Sequence, residues 1–128
     1  MKYVVLLGRI LYALIFIMSG PGHFSAGTIA YAASKGVPLA SFVVPVSGVV
    51  ALVGGVSILL GLKAKYGAWL IVFFLVPVTV MMHNFWTFTD PAAAHMQQIN
   101  FMKNLSLLGA ALIISYFGSG PFSADKNS

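Results

Sequence analysis

Four apolar runs, at residues 3–20, 39–62, 66–86 and 99–117, leave this chain few ways to fold. Each is close to the roughly 20 residues that cross about 30 Å of hydrocarbon as a helix. Inside lipid every backbone N–H and C=O must be satisfied internally, and the alternating pattern of barrel strands is missing, so the runs are read as helices. Composition agrees. Hydrophobic residues make up 59% and charged residues only 7% of the chain, against about a quarter charged in soluble domains. Such a chain cannot cover a water-facing surface.

The expected architecture is all-α: an antiparallel four-helix bundle integral to the membrane. It forms a single domain over residues 1–118, with a short polar C-terminal tail at 119–128 whose end, "SADKNS", reads as disordered. Only "KAK" separates the second and third runs, which makes them a hairpin. Residues 25–34 suit a short helix lying at the interface. The first run resembles a secretory signal, but Arg9 interrupts it and the "AYA" cleavage mimic lies too far downstream, so it is read as retained.

Charge sets the direction. With both termini on one side, that side collects Lys2, Arg9, Lys63, Lys65 and Lys126, and the other only Lys35 and Lys103. The bias predicts cytoplasmic termini in a bacterial cytoplasmic membrane. The net charge of +5 is scattered rather than clustered, so nucleic acid is not expected as a partner. Lipid is, together with other membrane subunits or further copies of the chain. Cysteine is absent, which excludes disulfides and thiolate metal sites. On the second run Gly48, Ala51 and Gly55 share a face, with Gly54 beside them, predicting close helix contact.

The informative residues are the polar ones in oil. The third run ends in "MMHNFW", carrying His83, Asn84 and Trp86, and the fourth opens with "QQINFMKNLS", carrying Asn100, Lys103 and Asn104. Antiparallel pairing brings these ends to one depth, at the outer leaflet, and His23 follows the Gly-Pro-Gly end of the first run. Arg9 lies about two turns inside the opposite end, and no carboxylate falls in any run to neutralise Arg9 or Lys103. An intramembrane cation costs from about 2.5 to over 10 kcal/mol. Snorkelling to lipid phosphates is the structural alternative, with the amides and imidazoles only bonding neighbouring helices.

As a ligand site, the outer cluster suits a quinone or quinol headgroup first. His83 and Lys103 would bond its oxygens, Asn100 and Asn104 would orient them, and Trp86 would wall the ring. A haem, held by His23 and His83, ranks below a cluster without ligand, and no metal is expected because the carboxylates of a hard site are missing.

The segments "GRILYALIFIMSGPGHF", "KGVPLASFVVPVSGVVALVGGVSILLGLKAKYGAWL", "HNFW" and "INFMKNLSLLGAALI" resemble the DoxX family of small four-helix membrane proteins, in order and spacing from about residue 8 to 121. In that resemblance Arg9 matches the first-span arginine, Ser19, Gly20 and His23 a Ser-Gly…Lys/His stretch, His83, Phe85 and Trp86 the His-x-Phe-Trp end, and Lys103–Asn104 a Lys-Asn pair. It implies a membrane partner in quinone-linked redox systems, more an accessory subunit of an oxidoreductase than a self-sufficient enzyme. The alternative is a non-catalytic scaffold or assembly subunit of a larger membrane complex. One departure stands out: Ala51 occupies the place of a family glutamate that could balance the arginine.

Overall fold

The computed structural model describes residues 2–124. Five helices follow in order: α1 Lys2–Ser19, α2 Ala26–Ser34, α3 Ala40–Leu60, α4 Ala64–Met82 and α5 Pro91–Phe117, with 3₁₀ turns at Gly20–Phe24 and Phe85–Thr87. Four of them, α2 excepted, are long and apolar enough to cross a membrane. The chain is an all-helical integral membrane bundle.

Local chemistry fixes the ends. Ser25 caps α2 by accepting from the Thr28 N–H at 3.4 Å, and Asp90 caps α5 by accepting from the Ala93 N–H at 3.0 Å, with Pro91 next. That cap, followed by "AAAHMQQ", starts α5 eight residues before the apolar run begins. The expected loop at 87–98 is therefore mostly helix. With 27 residues α5 is about 40 Å long, so its first turns lie beyond the hydrocarbon unless it tilts. The α3–α4 hairpin turns through Gly61 and Lys63, both left-handed at φ 69° and 52°. There Gly61 and Leu62 donate back to Ile58 and Ser57, closing the helix end.

Packing follows the membrane rule of small residues inside and large ones outside. Ala13, Ala51, Ala64, Ala68 and Ala111 are wholly buried, while Tyr116 and Phe73 are more than 70% exposed. Helix α3 is the hub. A side chain added at Gly55 would come within 3.1 Å of Phe16 and 3.4 Å of the Ala13 carbonyl on α1. One at Gly54 would come within 3.0 Å of the Gly67 carbonyl on α4. Gly48 holds the Gly20–Phe24 turn equally close, through the Gly20 carbonyl and the His23 Cβ.

Both ends of the described chain meet at one end of the bundle, where the rings of Tyr3 and Phe122 stack at 5.1 Å. The tail is not loose there. Residues 118–124 fold back across the bundle end, and the Ala124 N–H bonds the Leu60 carbonyl at 2.9 Å. The rest of the expected disordered end, 125–128, including Lys126, lies outside the described residues, as does Met1.

Candidate functional site

At the end of the bundle away from the termini, α1, α3, α4 and α5 part around a cavity of about 590 Å³, with α2 laid over it. Its size is within the range of small-molecule sites, about 300–1,000 Å³. The walls are apolar except for a few groups, chiefly His23, His83, Lys103, Asn104, Ser19 and Ser47. Four of the seven residues singled out in the sequence for the outer cluster thus share one wall system.

The other three do not. Helix α4 ends at Met82, and the 3₁₀ turn that follows swings Trp86 outward. Trp86 packs edge-on against Phe85 and Phe101, at 5.3 and 5.8 Å, and remains 58% exposed. Asn84 turns to accept from Lys35 Nζ at 2.8 Å. Asn100 is half-buried one turn before Asn104 and is not part of the wall.

The hydrogen bonds of the two histidines set what they offer. His23 Nδ1 lies 3.0 Å from the Ser19 carbonyl, which can only accept, so Nδ1 carries the proton and the neutral ring keeps Nε2 as an acceptor. His83 Nδ1 meets Gln97 Oε1 at 2.8 Å, and with the amide oxygen facing the ring it is Nδ1 that donates and Nε2 that is left to accept. Lys103 can only donate. It lies six residues beyond Gln97, about 9 Å deeper along α5, and the one described acid, Asp90, is at the far start of that helix. Asn104, buried beside it, can do both. The cavity therefore holds His83 toward its outer rim and Lys103 deeper in, while His23 lies deeper still, against Gly48 and edge-on to the Phe74 ring at 5.4 Å. Tyr12 ties the walls together, donating to the Leu107 carbonyl across α1 and α5 at 2.7 Å.

Arg9 belongs to a different place, at the terminus end. It is buried, and carbonyls replace the missing carboxylate: it donates to Ser119 at 3.0 Å, Pro121 at 2.6 Å, Phe122 at 2.8 Å and Leu59 at 3.3 Å, and to Ser123 Oγ at 3.2 Å. Its Nε, also buried, has no acceptor among the described residues. Arg9 is thus neither snorkelling nor part of the cavity, but a clasp holding the returning segment. Position 51 is eight residues from Leu59, about 12 Å along α3, too far for a glutamate there to pair directly with Arg9.

Two residues carry no mark of a site in the sequence. Lys35 reads as a charge in a loop, and Gln97 as one amide among several in "QQINFMKNLS". A lysine just past a short helix carries no signal of its partner, whereas Gln97 shares the depth of His83 and could have been paired with it.

The DoxX family profile matches residues 4–84, which cover α1 to α4. The chain is 32% identical over 125 residues to "Inner membrane protein YphA" of Escherichia coli (strain K12), covering 96% of this chain and 89% of that one. It is 31% identical over 125 residues to "Inner membrane protein YqjF" of the same organism, covering 95% and 89%. No solved structure gives a significant match. With four spanning helices and relatives of the inner membrane, this is a protein of the bacterial cytoplasmic membrane, and it belongs to the DoxX family.

Proposed function

We propose that this DoxX protein is the membrane subunit of a quinone-linked redox complex, with cytoplasmic termini and a cavity near the outer leaflet for a quinone-type headgroup. The observation that carries this reading is the meeting of His23, His83, Lys103 and Asn104 on one otherwise apolar cavity. The donor set fits such a headgroup. An imidazole Nε2 of His23 or His83 would accept from a hydroxyl, as the reduced form presents, while Lys103 and Asn104 would donate to a headgroup oxygen. When bound, the headgroup would supply exchange of two electrons and two protons. The chain's part is to bind and orient it, to hold a proton acceptor at each imidazole Nε2, and to keep water from the deeper lysine. Electrons would have to come from or pass to a partner subunit. A bond donated by His83 Nδ1 to Gln97 Oε1 leaves Nε2 free to accept and makes Gln97 a second residue on which ligand orientation rests.

Organic extraction of the purified protein, followed by absorbance and mass measurement, should recover about one quinone per chain. His83→Ala and Lys103→Ala should each lose it while keeping the melting behaviour of the parent. The scaffold reading draws on Trp86 and Asn100, which lie at the same level but off the cavity wall, where a partner could reach them. It prevails if no quinone is extracted and native purification brings down constant partner proteins. A Soret band would instead put haem on His23 and His83.

A further inference from the structure

The cavity has two borders, and they differ in chemistry. Toward the hairpin α3 and α4 are pinned together where Gly54 faces Gly67, and Ser57 closes on Gly67 next to it. Past that point the cavity separates them, and its wall reaches the lipid-facing surface through Val46, Phe73 and Pro77. Phe73 is the tenth of the nineteen residues of α4 and is 71% exposed, so the opening lies near mid-membrane. Pro45 and Pro77 stand inside their helices beside this gap, each removing a backbone bond that would hold the helix straight.

The border toward water is built otherwise. Thr28 and Ala32 of α2 and Val37 after it line the cavity on one side, and Met82 and His83 on the other. Lys35 continues the face of Thr28 and Ala32, and Asn84 follows His83. Lys35 Nζ spans the gap to Asn84 Oδ1 at 2.8 Å and lies 4.4 Å over the Phe88 ring. A lysine serving only as a solvated interfacial charge would not be held half-buried by an amide and a ring together.

From this geometry we infer that the cavity is loaded sideways from the hydrocarbon, by an amphiphile whose apolar tail stays among the lipids, and that Lys35 bonded to Asn84 seals it from water. The inference deepens the quinone reading and rests on it for the headgroup: the quinone would be a long-tailed, membrane-dissolved one, not a soluble one. Lys35 is a positioning residue here, since it holds the roof and touches no ligand.

The chain has no native cysteine, so one nitroxide can be placed at Ser47→Cys, on the cavity wall. In vesicles of phosphatidylcholine and phosphatidylglycerol, collision with oxygen reports lipid access and collision with a nickel chelate reports water access. Oxygen access should be high and nickel access close to that of a mid-membrane control. Lys35→Met and Asn84→Ala should each raise nickel access severalfold, and Lys35→Arg should leave it low. High nickel access in the parent, or no rise in either variant, overturns the seal. Low access to both reagents overturns the lateral opening. No quinone is added, so an empty extract from the purified protein would sink the functional reading while leaving this result standing. A water-open label in a protein that does carry quinone would do the reverse.

Discussion

Replacing Arg9 with methionine should free the returning C-terminal segment while leaving the bundle nearly as stable as before. Four of the five acceptors of the guanidinium, at Ser119, Pro121, Phe122 and Ser123, belong to that segment. Hydrogen bonds to a charged group contribute about 1.5–3 kcal/mol net each, but bonds that share one guanidinium do not add, so about 0.5–1 kcal/mol apiece is the better figure. Local opening should become easier by about 2–4 kcal/mol, or roughly 30- to 700-fold in amide exchange. Global stability should fall far less, because methionine also removes a buried cation whose insertion costs about 2.5–3.5 kcal/mol. The Ala124 N–H, bonded to Leu60, is the reporter. Its exchange, followed by mass spectrometry in detergent, should accelerate within that range, and Arg9→Lys should fall between the two because an ammonium has three donors and a shorter reach. Exchange at Ala124 unchanged within about threefold would refute the clasp, since the segment would then be held by something other than Arg9.

Two further substitutions probe the packing. Gly48→Ala puts a methyl 2.6 Å from the His23 Cβ and 2.8 Å from the Gly20 carbonyl, so the turn must shift. A loss of about 1–3 kcal/mol in thermal or denaturant unfolding is expected, and an unchanged midpoint would mean that the contact is looser than described. Ala51→Glu puts a carboxylate at a wholly buried site. With Arg9 about 12 Å away along α3, the carboxylate stays unpaired, and destabilisation of about 3 kcal/mol or more is expected. Full stability with an unchanged Ala124 exchange rate would show that this site accommodates a carboxylate without the arginine. Full stability with altered exchange would show the two positions coupled.

Much of this architecture is written in the pattern of residues. Spans and hairpin follow from apolar length and from a three-residue break, and the Gly48–Gly55 face follows from helical spacing. Antiparallel pairing alone carries His83 and Lys103 to neighbouring depths. Other features have no such mark. Three of the five partners of Arg9 are backbone carbonyls of a segment that reads as a polar tail, and a carbonyl has no sequence signature. Trp86 turns outward because α4 stops at Met82, whereas the apolar run continues to residue 86 and hides that ending. The early start of α5 is visible in Asp90–Pro91, a cap followed by a first-turn proline, but 91–98 lacks the long aliphatic side chains of the apolar run and so reads as a loop.

Photo-crosslinking in the membrane addresses the cavity most directly. An azido-quinone carrying an isoprenoid tail should label peptides of both α4 near His83 and α5 near Lys103, and excess unlabelled quinone should suppress both. Labelling confined to the lipid-facing surface and indifferent to the competitor would contradict the account.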